Sequence, residues 1–263
     1  MSTMTGISEV TRLRLIRYGS VIAVLGAWEL WVDLGFVDPF VLPALSTVLK
    51  RTWVELFYGD LAYQSVLTIY RTLLGFLITA VLGVFIGTTM ARYAIVRWFL
   101  DPVVAVGFPM PKISLIPIFI LWFGAYESPK LIMIVIGSVF PVISATYFAT
   151  STIDKYLVWS ARNLGTGEQR MLWKVVIPAA MPQILSGLQI AFPLSLILAV
   201  VSEMLTTGGG LGNYMILATR FSDSPKVFVG IVAIGVLGFV TTRGLLHLRR
   251  WLLRWHSETF TSR

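Results

Sequence analysis

Three stretches of this chain are long enough to cross a bilayer and hold no Asp, Glu, Lys or Arg: Thr72–Ala91, Leu131–Ile153 and Val175–Ser202. A helical crossing needs about 20 mostly apolar residues. Backbone in hydrocarbon must also satisfy its own hydrogen bonds, which leaves helices or closed barrels. Windows this long and uniformly apolar dictate helices. A fourth stretch, Val227–Thr242, extends through Leu245 and Leu246. Only 13% of the 263 residues are charged, against about 25% in soluble domains. A soluble enzyme with so little charge would expose far too much apolar surface.

Two weaker segments remain. Tyr18–Phe36 holds Glu29 and Asp33, and Pro102–Gly124 is interrupted by Lys112. Charge placement favours counting both. Six spans with both termini in the cytoplasm put 14 of the 21 Lys and Arg on the inside. These are Arg12, Arg14 and Arg17, then Arg92 and Arg97, then Lys155, Arg162, Arg170 and Lys174. The C-terminal tail adds Arg243, Arg249, Arg250, Arg254 and Arg263. Lys50, Arg51, Arg71, Lys112, Lys130, Arg220 and Lys226 fall outside or within a span. Such an excess is what the positive-inside rule expects. The expected fold is therefore all-α, a single polytopic domain over residues 1–263 with six transmembrane helices. A cleaved signal peptide is disfavoured, because Trp28, Glu29, Trp31 and Asp33 stand where small residues should mark the cleavage site. Between helices one and two, Thr47–Tyr58 follows Pro39 and Pro43 and is expected to lie along the membrane surface.

The formal charge of +8 does not imply nucleic acid, since the cations punctuate apolar runs instead of forming one patch. With no cysteine there is no disulfide and no thiol nucleophile. His247 and His256 sit in the basic tail without the His/Asp/Glu cluster that a metal site needs. The run Gly208-Gly209-Gly210-Leu211-Gly212 lacks the Gly-Lys-Ser/Thr of a phosphate loop. It reads as a tight outer turn between helices five and six, and the chain shows no sign of hydrolysing ATP.

Three positions inside the spans stand out. Pro109, Pro111 and Pro117 flank Lys112, so helix three must kink or break there. Broken backbone at membrane depth needs protein or water partners. Two readings stay open: a kinked packing helix with a snorkelling lysine, or a translocation path marked by Lys112. Glu203, ending the uncharged run of helix five, either lines that path or marks the outer interface. Gly83 and Gly87 form a G-x-x-x-G pair suited to close helix packing.

The loop Asp154–Lys174 is too long and patterned for a simple turn. Leu157, Ala161 and Leu164 recur at four and three residues, as along one helix face. Gly165 and Gly167 then permit a change of direction. An amphipathic helix here either docks a soluble partner or lies on lipid.

This loop resembles the cytoplasmic signature of binding-protein-dependent ABC importer permeases, E-A-A-x3-G-x9-I-x-L-P. Ala161, Gly165 and Pro178 match it, Val175 and Ile177 are conservative exchanges, and Trp159 and Ser160 replace the Glu and the first Ala. Further fragments look like the nitrate/sulfonate/taurine-type branch. They are Trp28-Glu29, Leu42-Pro43, Pro111-Lys112-Ile113, Leu121-Trp122-Phe123-Gly124, Ser202-Glu203 and Gly210-Leu211-Gly212. The resemblance implies a non-catalytic membrane subunit of the bacterial cytoplasmic membrane that carries a small solute, most readily an anion such as nitrate, a sulfonate or taurine, or bicarbonate. It implies a homodimeric pore in lipid, two ATP-binding cassette subunits that hold ATP and Mg, and a periplasmic or lipid-anchored binding protein. Residues 154–174 would form the coupling loop. The rival is a secondary transporter or channel, which usually shows inverted repeats or more intramembrane acids.

Overall fold

The computed structural model describes residues 9–255, with side chains from Gly19 onward. The side chains of Arg12, Arg14 and Arg17, and the residues His256 and Arg263, lie outside the described residues. Every regular element described is helical. In chain order they are α1 (Glu9–Asp33), α2 (Leu45–Phe57), α3 (Leu61–Arg92), α4 (Ala94–Gly107), a 3-10 turn at Lys112–Leu115 and α5 (Ile116–Phe123). Then come α6 (Glu127–Ser151), α7 (Lys155–Asn163), α8 (Glu168–Met171), a π-helical segment at Leu172–Val176, α9 (Ile177–Leu205), α10 (Leu211–Arg220) and α11 (Ser224–Leu252).

Among the described residues four helices are long and apolar enough to cross a membrane: α3, α6, the run Glu168–Leu205, and α11. The third predicted span, Pro102–Gly124, starts midway through a fifth candidate formed by Ala94–Gly107 and Lys112–Phe123, two helical pieces bent by 99°. The first predicted segment is helical through Asp33 in α1, but begins at Tyr18, whose side chain is not described.

The chain divides into two compact units. One takes the chain up to Ala62 together with Met215–Val232; the other takes Tyr63–Tyr214 and the chain from Ala233. In the first unit, Trp28 Nε1 donates to Pro43 O at 3.1 Å and Ser46 N donates to Glu29 Oε2 at 3.2 Å. Glu29 thereby takes up one of the orphan N–H groups that open α2. Two of the sequence fragments, Trp28-Glu29 and Leu42-Pro43, thus sit within one small contact. On α2, Glu55 pairs with Arg51 at 3.2 Å and with Lys226 at 3.5 Å, and Arg51 reaches Asp223 at 3.2 Å.

In the second unit, α6 and α9 pack against each other along an extensive contact. Ile116 and Phe119 of α5 pack with Met133 and Ile134 of α6 and Leu198 and Ala199 of α9. Gly83 and Gly87 bring α3 against α6: a Cβ at Gly83 would lie 2.6 Å from Val142, and one at Gly87 2.7 Å from the Ile143 carbonyl. A larger residue at either position would force the two backbones apart.

Three boundaries differ from the sequence reading. Glu127 and Lys130, assigned to the loop between spans three and four, form the first turn of α6. Arg243, Arg249 and Arg250, assigned to the tail, are helical in α11, where Arg249 bonds to Gln189 and Ser186 of α9. The turn between helices five and six contains α10, whose Leu211, Tyr214 and Ala218 are buried at helical spacing. A ten-residue helix is too short to span, so a search for spans passes over it.

Candidate functional site

At the broken third span, α4 ends at Gly107 and the chain turns through Phe108–Pro111. Pro109 and Pro111 supply no N–H to the carbonyls of Ala105 and Gly107, and with α4 ended at Gly107 the carbonyl of Phe108 has no continuing helix to bond it. Lys112 bonds it instead, its Nζ donating to Phe108 O at 2.5 Å. The ammonium also lies 5.9 Å and 5.6 Å from the ring centroids of Phe108 and Phe140, within cation–π range. Lys112 thus bonds back onto the break that its neighbouring prolines create.

Glu203, open to a path-lining or an outer-interface position on sequence, lies within a buried ion cluster. Its side chain is fully buried, and the Arg71 guanidinium, itself 1% exposed, donates to its Oε1 at 2.8 Å. All five Arg71 donors are used. Nε and Nη2 hold the two Glu127 oxygens at 2.8 and 2.6 Å. Nη1 adds the Gly209 carbonyl at 2.8 Å, and Nη2 adds the Gly208 carbonyl at 2.7 Å. The second Glu203 oxygen accepts from the Thr68 hydroxyl at 2.8 Å and from Gly212 N at 3.1 Å. Lys130, fully buried, donates to Glu127 at 3.1 Å and to the Thr207 carbonyl at 2.6 Å. Two cations and two carboxylates balance. The buried Arg71 and Glu203 each hold several charge-assisted hydrogen bonds, which offset the cost of burying them, while Glu127 stays half-exposed.

The glycine run is what admits this cluster. Gly208, Gly209 and Gly210 have φ of +97°, +76° and +101°. A Cβ on Gly210 would fall 2.1 Å from the Glu203 carboxyl carbon. The loop is the turn the sequence suggested, and its carbonyls also solvate Arg71. Residue reading alone missed Arg71, Lys130, Glu127 and Thr68. Arg71 was legible only as the charge that stops an apolar window one residue before Thr72.

At the opposite end of α9 the expected loop helix is present as α7. Asp154 caps it, accepting from Tyr156 N at 2.8 Å. Gly165 ends it at φ +79°, with Gly165 N on Arg162 O at 2.9 Å and Thr166 N on Ala161 O at 3.1 Å. This left-handed closure suits glycine. The expected face of Leu157, Ala161 and Leu164 is not a single packed face, because Leu164 lies beyond the last helical turn and is 86% exposed. Trp159, Ser160 and Ala161 lie on α7, Val175 in the π-helical segment, and Ile177 and Pro178 open α9. Glu168 at the start of α8 ties this region together, reaching Arg162 of α7 at 3.1 Å and Arg92 of α3 at 3.3 Å. Lys112 and Glu203 have no bonding partner in common, so each heads its own cluster.

An all-helical bundle of long apolar spans, a glycine-closed loop helix leading into a continuous span, and a clamp at that span's far end define a polytopic membrane subunit. Residues 79–254 match the family of the binding-protein-dependent transport system inner membrane component. The chain belongs to this family, the permease subunits of ABC importers. It is 32% identical over 235 residues to the aliphatic sulfonates transport permease protein SsuC of Bacillus subtilis (strain 168), covering 89% of this chain and 85% of that one. It is 26% identical to the taurine transport system permease protein TauC of Escherichia coli (strain K12), covering 95% and 92%. The fold is shared with the MetNI methionine ABC transporter in inward facing conformations, at a TM-score of 0.64 and 15% identity over 73% of this chain and 95% of that one. It is also shared with an amino acid ABC transporter crystallised with histidines, at a TM-score of 0.61 and 20% identity over 83% and 98%.

Proposed function

We propose that this permease imports a small anion, in the first place a sulfonate such as taurine, across the bacterial cytoplasmic membrane, with both termini on the cytoplasmic side. Two copies form the pore in lipid. Two separate ATP-binding cassette subunits bind and hydrolyse ATP with Mg, and a periplasmic or lipid-anchored binding protein delivers the solute. The permease itself binds no cofactor. The observation that carries this reading is α7, a capped and glycine-closed helix bonded through Glu168 to α8 and to the end of α3. Residues 154–174 act as the coupling loop, with Trp159, Ser160, Ala161 and Gly165 on or beside α7 and Val175, Ile177 and Pro178 passing its movement into α9. Because Glu168–Leu205 is one continuous helical run, a displacement of α7 is delivered along α9. Lys112 and Glu203 mark the translocation path, Lys112 at the break that lets α5 swing against α4, and Glu203 at the clamp that joins the far ends of α3, α6 and α9. The names of the relatives above support the sulfonate class, with nitrate and bicarbonate the next anions to try.

The test is reconstitution. Proteoliposomes holding the permease and its ATPase, supplied with binding protein, should accumulate taurine or an alkanesulfonate only with ATP. Uptake of a neutral heterocycle in preference to these anions would overturn the substrate class. Uptake without ATP would overturn the coupling.

A further inference from the structure

Along α3, Ile78, Leu82, Phe85, Thr89 and Arg92 recur at four, three, four and three residues, so they share one helix face. Ile78, Leu82 and Phe85 are exposed, an apolar stripe open to whatever surrounds the chain. At its end lies a groove of about 330 Å³. Arg92 and Tyr93 form one wall, and Gln169, Leu172 and Trp173, from α8 and the π-helical segment, form the other. Both walls change character together: the uncharged run Thr72–Ala91 stops at Arg92, and the run that begins at Val175 follows Lys174. The groove therefore lies where hydrocarbon gives way to polar surroundings. Tyr93 and Trp173 are both exposed, as aromatic side chains at that boundary are. The Arg92 guanidinium sits 5.6 Å from the Tyr93 ring centroid, and Glu168 takes one of its donors at 3.3 Å.

We propose that this groove holds the headgroup of one anionic phospholipid, with its phosphate on Arg92 and its acyl chains along the Phe85, Leu82 and Ile78 stripe. A guanidinium offers five donors in a planar fork suited to phosphate, and the single Glu168 contact leaves several of them to give. The Gln169 amide and the Trp173 indole bring further N–H groups to the headgroup level. The surrounding charge favours an anion: Arg162, Arg170 and Lys174 accompany the lone acid Glu168 in the stretch 162–174. A soluble phosphate would gain nothing from the apolar stripe. A second copy centred on the stripe would set Arg92 against its own counterpart. The site depends neither on the identity of the solute nor on the coupling role of α7.

The test uses the purified, delipidated permease without ATPase, with lipids added back and counted by native mass spectrometry. Phosphatidylglycerol should bind about fivefold tighter than zwitterionic phosphatidylcholine, the scale of one cation at an anionic surface. Arg92→Gln should remove that preference and Arg92→Lys should keep it. Glu168→Gln, which takes the acid away from Arg92, should increase it, a change that a purely structural Arg92–Glu168 pair would not produce. Trp173→Ala leaves the ion pair intact and should weaken both lipids. Arg250→Gln, at an exposed position on α11, is the control and should leave the preference unchanged. The same preference in Arg92→Gln as in wild type, or an equal loss in Arg250→Gln, would reduce the effect to diffuse charge and overturn the proposal. Displacement of the lipid by glycerol phosphate at the same concentration would assign the groove to a soluble anion and overturn it as well.

Discussion

Arg71 and Glu203, 132 positions apart in sequence, meet at 2.8 Å with both side chains closed off from solvent. The pair joins α3 to the last turns of α9. Through Glu127 it also reaches the first turn of α6. The two residues are not equally dependent on each other. Arg71 keeps Glu127 and two carbonyls if Glu203 is lost, whereas Glu203 without Arg71 has only the Thr68 hydroxyl and one N–H.

Arg71→Met should therefore destabilise more than Glu203→Gln. Leaving a buried carboxylate unpaired costs about 3–5 kcal/mol, while the Gln amide retains most of the contacts. Thermal unfolding of the purified permease in detergent should rank wild type above Glu203→Gln above Arg71→Met. The double variant Arg71→Met with Glu203→Leu should recover part of the loss. An Arg71→Met protein as stable as Glu203→Gln would contradict the clamp.

Gly210 should tolerate no side chain. Its φ of +101° is unfavourable for any L residue, and its Cβ would strike the Glu203 carboxylate. Gly210→Ala should lower the unfolding temperature and the inserted yield. Gly244→Ala is the internal control: it lies within α11 with nothing within 4 Å of its Cβ. That change should be neutral or slightly stabilising, by up to about 1 kcal/mol.

Much of the architecture was legible because hydrophobic length is written locally. Thr72–Ala91, Leu131–Ile153 and Val175–Ser202 each lie largely within a helix that is longer at one or both ends. The ends were misjudged for one physical reason. Arg71, Glu127 and Lys130 read as solvent charges, since residue type alone says nothing of a partner far along the chain. Arg71 is buried against Glu203 and the carbonyls of Gly208 and Gly209, and Lys130 against Glu127 and the Thr207 carbonyl, while Glu127 itself stays half-exposed. The α7 helix and its glycine stop were legible from spacing, while the exposure of Leu164 depends on where the last turn ends. The break near Lys112 followed from its prolines. That the lysine would bond back to Phe108 O required the fold.

Gly165→Val should uncouple transport without preventing insertion. A left-handed conformation costs a branched residue about 1–2 kcal/mol, and the α7 closing bonds to Arg162 and Ala161 would be strained. The space around the position is open, so the bundle itself is not disturbed. Membrane-inserted yield should match wild type while ATP-dependent uptake is lost. Wild-type uptake by the variant would contradict the coupling role.

Lys112→Met should lower uptake more than it lowers inserted yield. It keeps the length of the side chain but removes the donor on Phe108 O, leaving a carbonyl freed at the break. Uptake normalised to inserted protein checks this. A fall in both by the same factor would assign Lys112 to packing alone.

The most direct measurement of ATP-coupled import is the dependence of solute uptake on the ATPase in a defined system. Proteoliposomes containing the permease alone, the permease with its ATPase, and the permease with an ATPase unable to hydrolyse ATP should be compared, each with binding protein outside and ATP inside. Concentrative uptake of taurine or an alkanesulfonate only in the second preparation is the predicted result. Uptake by the permease alone, driven by an ion gradient, would contradict it.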